Sequence, residues 1–242
     1  MKILSIDWDY FINCSASDRA VLFPDGGNER LGIAMSNYVW ASRYGYEERL
    51  EKIKSRSQDI DKLKKIIEKN KDAYLYVCAD SHQHLGEFIL NPDMEKKVKE
   101  DLTIVNIDHH HDMFGIGKEL NCGNWLNKVL EKYPETKVKW IRNEDSDTTK
   151  FVGEDSTNIE DADDIYDVIY ICRSFIWSPP HLDKEFGVLN RFIAKRAAFT
   201  LFRQDIANRW DDDFKKDVKF NRVVAENMRK SMEKIAVEKS EG

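Results

Sequence analysis

Leu102-Thr103-Ile104-Val105-Asn106-Ile107-Asp108-His109-His110-His111-Asp112 is the stretch on which the reading of this chain turns. Its first six residues are mostly apolar and β-branched, the composition of a strand buried on both faces. The run then ends on two acids and three histidines. Uncompensated charge at the end of a buried strand is costly, and a bound metal ion is the common remedy. In an extended backbone alternate side chains share one side, so Asp108, His110 and Asp112 are expected to converge while His109 and His111 point elsewhere.

The same pattern recurs on either side. Strand-like runs are expected at Lys2–Ile6, Ala73–Cys78, Lys137–Ile141 and Val168–Cys172. Between the runs, Asn28–Tyr44, Glu47–Lys71, Leu85–Glu100, Trp125–Lys132, Leu189–Ala207 and Val223–Val237 carry apolar residues at three- and four-residue spacing, which predicts helices. Alternating strands and helices predict an α/β fold with a mainly parallel sheet. Asn143–Asp167 reads as a long acidic surface loop, and the whole chain, 1–242, as one domain with a frayed tail over 238–242. Ligands of such sheets bind beyond the carboxyl ends of the strands. The first run is followed by Asp7-Trp8-Asp9, and the run before Asp108 by Asp80-Ser81-His82-Gln83-His84. Asp7 and Asp9 should share a face. With one histidine from His82 or His84, they bring the set to four carboxylates and two imidazoles. Such a set is too oxygen-rich for a structural zinc and suits a pair of Mn²⁺ ions.

Composition narrows the function classes. The 242 residues hold 44 acids against 38 Lys plus Arg, a net charge of -6 that argues against a phosphate-backbone binder, so no nucleic-acid partner is expected. No apolar run approaches the roughly 20 residues of a membrane span, and no signal-peptide pattern precedes Ile3, so a cytoplasmic location without membrane association is expected. Cys14, Cys78, Cys122 and Cys172 form no paired motif and read as mostly buried thiols. Met35, Tyr38, Trp40 and Tyr44 read as core packing. Phe23–Glu29, with Gly26-Gly27 and Asn28 as a helix cap, reads as a turn open to substrate contact.

Ile107-Asp108-His109-His110-His111-Asp112 resembles the D-x-H-x-D signature of the arginase and agmatinase superfamily, the ureohydrolases. Ser5-Ile6-Asp7-Trp8-Asp9 resembles its S-F-D-x-D signature. Ala79-Asp80-Ser81-His82 is loosely similar to the G-G-D-H turn, Cys122-Gly123-Asn124-Trp125 to the G-N segment, and Lys139–Asp145 to the step into a substrate-contacting acidic loop. The resemblance covers residues 1–12 and 74–180, and only its two aspartate motifs are specific. It implies a three-layer arginase/deacetylase-like fold. Because S-F-D-x-D here precedes D-x-H-x-D, it also implies a permuted strand order. This arrangement, with a late Ser178-Pro179-Pro180-His181, looks most like the peptide arginases, which convert arginine side chains of ribosomally made precursor peptides to ornithine and release urea.

By that resemblance one Mn²⁺ would be held by His82, Asp108, Asp112 and Asp7, and the other by His110, Asp108, Asp7 and Asp9. Asp112 would relay a proton, and His181 would replace the family's proton-shuttle histidine, since Trp125 stands where that histidine is expected. Asp80, Glu144 and Asp145, with Glu119 and Asp147, would be the acids that face a cationic substrate, here an arginine-containing precursor peptide. Other readings remain: agmatinase-type or other small guanidino-compound hydrolysis, a haloacid-dehalogenase-like phosphatase opening on D-x-D, a deacetylase-like hydrolase, and a non-catalytic metal- or peptide-binding protein.

Overall fold

The computed structural model describes residues 1–24, 32–71, 73–99, 101–115, 117–202 and 208–240. Its strands are β1 (Lys2–Asp7), β2 (Ile12–Asn13), β3 (Lys54–Ser55), β4 (Leu75–Ala79), β5 (Thr103–Ile107), β6 (Lys137–Ile141), β7 (Glu154–Ser156), β8 (Val168–Cys172) and β9 (Phe199–Phe202). The helices are α1 (Ala16–Leu22), α2 (Gly32–Tyr46), α3 (Ser57–Lys69), α4 (Gln83–Leu90), α5 (Glu95–Lys99), α6 (Trp125–Lys132), α7 (Asp183–Ala194) and α8 (Asp212–Ser240). Seven strands form one sheet in the order β7-β6-β5-β1-β8-β4-β9, and every neighbouring pair is parallel. β2 and β3 make a separate antiparallel pair.

Alternation along the strands sorts the core into two layers. Leu4 and Ile6 of β1, Val105 and Ile107 of β5, and Ile169 and Ile171 of β8 pack with α2, α3, α7 and the start of α8 through Trp40, Tyr44, Leu63, Phe186 and Phe214. Ile3, Ile104, Val168 and Tyr170 face α4 and α6 through Leu85, Ile89, Trp125 and Val129. Helices thus cover both faces of the sheet, as a parallel sheet requires. Each of these side chains brings roughly 1.5–3 kcal/mol of burial. The sheet is not held together by one strand pair.

All five expected runs are strands, with ends within two residues of expectation. The helices differ more. Pro92 supplies no N–H and opens a short 3-10 turn, so the expected Leu85–Glu100 helix divides into α4 and α5. Glu47–Lys71 divides as well: Glu48–Lys52 is a 3-10 turn, β3 pairs with β2, and only α3 is helical, burying Ile60, Leu63, Ile66 and Ile67. The expected helix Leu189–Ala207 begins at Asp183, ends at Ala194, and gives way to β9, where an aromatic and β-branched run pairs with β4. β7, within the acidic stretch, was not expected. α8 carries helix to Ser240, past the expected fraying at Glu238. The turn at Gly26-Gly27, the cap at Asn28, residues 203–207 and the last two residues of the tail lie outside the described residues. Trp40 and Tyr44 are core as expected, whereas Met35 and Tyr38 are exposed. Gly45 marks the crossing of α2 and α8, where a Cβ would meet that of Asn221 at 2.5 Å.

Candidate metal centre

Parallel register brings the chemistry together. Ile6 pairs with Ile107 on one side of β1 and Asp7 with Cys172 on the other, so Asp7 and Asp108 leave the sheet side by side at its carboxyl edge. Two residues back along each strand, Ser5 and Asn106 are paired and point the same way, and both are fully buried. The Ser5 hydroxyl lies 2.9 Å from His82 Nε2, and Asn106 Nδ2 donates to Asp108 Oδ2 at 3.2 Å. They form the polar floor of the site.

Beyond the strand ends the backbone turns, and it is the turning that completes the cluster. After β1, Trp8–Phe11 form a 3-10 turn capped by Asp7, whose Oδ1 accepts the Asp9 N–H at 2.8 Å. Asp9 therefore reaches the site by a turn, not by strand alternation. After β5, Asp108 Oδ1 accepts the His110 N–H at 2.8 Å, and Asp112 takes a left-handed backbone at φ 54°. The Leu126 N–H at the start of α6 donates to the Asp112 carbonyl, and the Trp125 indole N–H donates to Asp112 Oδ2 at 2.5 Å. Asp108, His110 and Asp112 converge as expected, through a bend in place of an extended chain.

His82 lies at the centre. Its Nδ1 is 3.1 Å from Asp7 Oδ2, 3.3 Å from Asp108 Oδ2 and 3.1 Å from Asp112 Oδ2. One ring nitrogen carries at most one proton, so it can satisfy only one of three carboxylates by hydrogen bonding. Metal bonds of about 2.0–2.2 Å at right angles, by contrast, place neighbouring donor atoms about 3 Å apart. A second group has the same spacing: His110 Nδ1 is 2.9 Å from Asp9 Oδ2, yet that buried oxygen has no hydrogen-bond partner. Asp9, Asp108 and His110 form one set of potential ligands, and His82, Asp108 and Asp112 another, with donor atoms within 4.8 Å in each. Asp108 belongs to both. Asp7 falls in a third set, with His82 and Cys172. The donors fit hard divalent cations.

Electrostatics say the same. Burial pushes the Asp7 carboxyl up to about 6, Asp9 adding to the rise and His82 and Ser174 opposing it. Burial, then the charges of Asp112, Asp7 and Asp9, hold the Asp108 carboxyl well above the usual carboxylate range. Burial disfavours a charged His82 ring, but the carboxylates of Asp108, Asp112 and Asp7 outweigh it and raise its pKa. Burial also works against the Asp9 charge, but His110 and Arg19 hold it below the usual range. Four acids crowded in this way call for more positive charge than two imidazoles provide.

The chain matches no family model, no curated protein and no solved structure. The geometry of the site is therefore the ground for any functional reading.

Of the two histidines after β4, His82 enters the cluster, while His84 Nδ1 lies 2.9 Å from Glu87. His109 turns to Asn143 at 2.9 Å, and burial followed by the Arg19 charge pushes its pKa down to about 4. His111 packs on Phe114 and Trp140. His181 does not take the expected shuttle position: its Nδ1 meets the Tyr44 hydroxyl and its Nε2 the Ile53 carbonyl, so both ring nitrogens serve packing. Asp80 is likewise spoken for. Its carboxylate receives the buried Arg173 Nε at 2.5 Å, in a chain of ion pairs running Asp80, Arg173, Asp183, Arg209. Asp145 accepts the Ala16 N–H at the start of α1, Asp147 caps Thr149, and Glu144 and Glu119 are exposed. None of these acids belongs to a ligand set among the described residues.

Several site residues gave no signal in the sequence. Arg19 reaches from α1 to the Asp9 and Ile12 carbonyls. Ser174, with a left-handed backbone at φ 49°, donates its hydroxyl to Asp7 Oδ2. Trp177 packs on the His110 ring at 5.0 Å. The His110 side chain is 28% exposed where Asp9 is at 0%, so the cluster opens to solvent beside His110 and Trp177.

Proposed function

We propose that this chain is a two-manganese hydrolase that converts arginine side chains within a peptide to ornithine and releases urea. The observation that carries the reading is the shared position of Asp108 between two ligand sets, with His82 in one and His110 in the other. His82, Asp108, Asp112 and Asp7 would hold one ion, and His110, Asp108, Asp7 and Asp9 the other. Bound there, two divalent ions would lower the pKa of a shared water toward neutrality and supply a nucleophile for the guanidinium carbon.

The chain's own residues would do the rest. Asp112 Oδ2 is held by the Trp125 indole, which fixes the carboxylate where it can pass a proton to the departing amine. The reaction balances: guanidinium plus water gives alkylammonium plus urea. Ser5 and Asn106 orient His82 and Asp108 from below and keep their donor atoms turned toward the ions. Trp177 and the partly exposed His110 edge flank the approach.

Support for a peptide over a free amino acid comes from the loop after Asp112. A site for free arginine needs polar partners for the α-amino and α-carboxyl groups. Met113 is buried in the core on the α4–α6 side and Phe114 packs on His111 at 4.2 Å, so neither position supplies a polar side chain for those groups. No helix among the described residues is long and apolar enough to cross a membrane.

The test is to incubate the Mn²⁺-loaded protein with a peptide holding one internal arginine, its termini blocked, and to follow urea together with the loss of CN₂H₂ from the peptide mass. Urea release faster than from free L-arginine or agmatine is the expected result. Faster turnover of either small molecule would overturn the peptide reading and leave the hydrolase. No release from any of the three, in protein shown to hold two ions, would overturn both.

A further inference from the structure

Cys172 stands against the hard-ligand centre with no part in it. Its partner across the β1–β8 ladder is Asp7, and adjacent strands lie about 4.8 Å apart with paired side chains on the same face. Both are buried, Cys172 fully. Ligand atoms of Asp7, His82 and Cys172 all lie within 4.8 Å of one another, and among the described residues this is the one such group that includes a thiol. The sulfur is also placed as an acceptor. The Ser174 N–H donates to Sγ at 3.3 Å, and the Ser174 hydroxyl lies 3.4 Å from it, an arrangement made by the left-handed turn at Ser174. That same hydroxyl donates to Asp7 Oδ2, so one residue ties the sulfur and the carboxylate together.

We propose that Cys172, His82 and Asp7 form a second, thiolate-bearing position for a soft divalent cation such as Zn²⁺ or Cd²⁺. Thiolate and imidazole select such ions, whereas a set of carboxylates with one imidazole suits Mn²⁺. Both positions draw on the His82 ring, which with Nε2 facing the Ser5 hydroxyl has one lone pair to give, so they cannot be filled together. A soft cation entering here binds the sulfur, the thiol proton leaves to solvent, and no electron is transferred. Its consequence is displacement of manganese: the centre carries its own site for inhibition by thiophilic metals. Only the consequence for activity rests on the hydrolase reading. Occupancy of the soft site does not.

The experiment is a titration of the metal-free full chain with Cd²⁺, read by the ultraviolet sulfur-to-cadmium charge-transfer band. Wild type should develop the band over one equivalent. Cys172→Ser should lose it and bind Cd²⁺ about tenfold or more weakly, while keeping its thermal shift with Mn²⁺. Cys14→Ser, at a thiol outside the group, should keep the band. A full-sized band in Cys172→Ser would overturn the proposal, as would a wild-type spectrum without one, a result that needs no variant to fold. Absence of urea release would leave these spectra as they are, so failure of the hydrolase reading is distinguishable.

Discussion

Asp7→Asn should make the metal-free protein more stable and at the same time remove its response to manganese. The Asp7 carboxyl is raised from 3.8 to about 6, so at pH 7 folding works against its charge by about two pK units, or about 3 kcal/mol. Asparagine has the same shape and lacks the charge. Its carbonyl oxygen can still accept the Asp9 N–H, and its amide can donate to the Ser174 hydroxyl oxygen. In a chain of this length each kcal/mol moves Tm by about 2–4 °C, so the variant should melt about 6–12 °C above wild type in chelator. Scanning calorimetry at several pH values supplies the sign check. A carboxyl with a raised folded-state pKa costs stability above that pKa and nothing below 3.8, so the gap between variant and wild type should close as pH falls from about 6 to about 4. Taking the difference between the two proteins cancels His109, whose lowered pKa destabilises both over the same range. With Mn²⁺ at a hundred times its dissociation constant, wild type should gain about 2.7 kcal/mol and the variant little. An Asn variant that melts below wild type in chelator, or that keeps the full Mn²⁺ shift, would refute the view that charge crowding at this site awaits a cation.

Metal analysis should find both ions lost from Asp108→Ala and one lost preferentially from His110→Ala, since Asp108 is common to the His82 and His110 ligand sets; two ions retained in Asp108→Ala would contradict the assignment. His82→Ala should bind less Mn²⁺ while His84→Ala binds the wild-type amount. Trp125→Phe removes the donor to Asp112 but keeps an aromatic ring between the sheet and α6, so kcat should fall with metal content unchanged; unchanged kcat would remove Asp112 from proton transfer. Arg173→Met leaves Asp80 and Asp183 buried with one cation fewer, and urea denaturation should show a loss of about 3–5 kcal/mol.

The sheet and the ligands were legible because both are written in local pattern. Val168–Cys172 and Lys137–Ile141 are short apolar runs bounded by polar residues, and they appear with the expected ends. Asp108, His110 and Asp112 were legible as a set because acids and histidines rarely close a buried strand without purpose. What stayed hidden depends on the third dimension. β7 is Glu-Asp-Ser, with no apolar residue to mark it as a strand, and it exists because β6 offers it a free edge. Arg173 and Asp80 look like solvated residues until β4 and β8 pair and bury them together. His181 follows two prolines in a loop whose direction the sequence leaves open, and the Tyr44 hydroxyl settles where its ring goes. Ser174 and Trp177 are ordinary residues made relevant by the left-handed turn after β8.

The place of β1 in the sheet bears on how the protein is made. It is hydrogen-bonded on one side to β5 and on the other to β8, so neither of its edges has a partner nearby in sequence. During translation it leaves the ribosome roughly 100 residues ahead of β5 and roughly 160 ahead of β8. At ~5–20 residues per second that is a wait of roughly 5–20 s for one neighbour and roughly 8–32 s for the other. Through that interval Ile3, Leu4 and Ile6 have nothing native to pair with, and the nascent strand is a target for holding chaperones or for pairing with another chain. Asp7 and Asp9 have no metal to share until Asp108, nearly half the chain, has emerged. A cation held by these acids therefore cannot seed this fold, and can only be captured by one whose central strand has already found its neighbours.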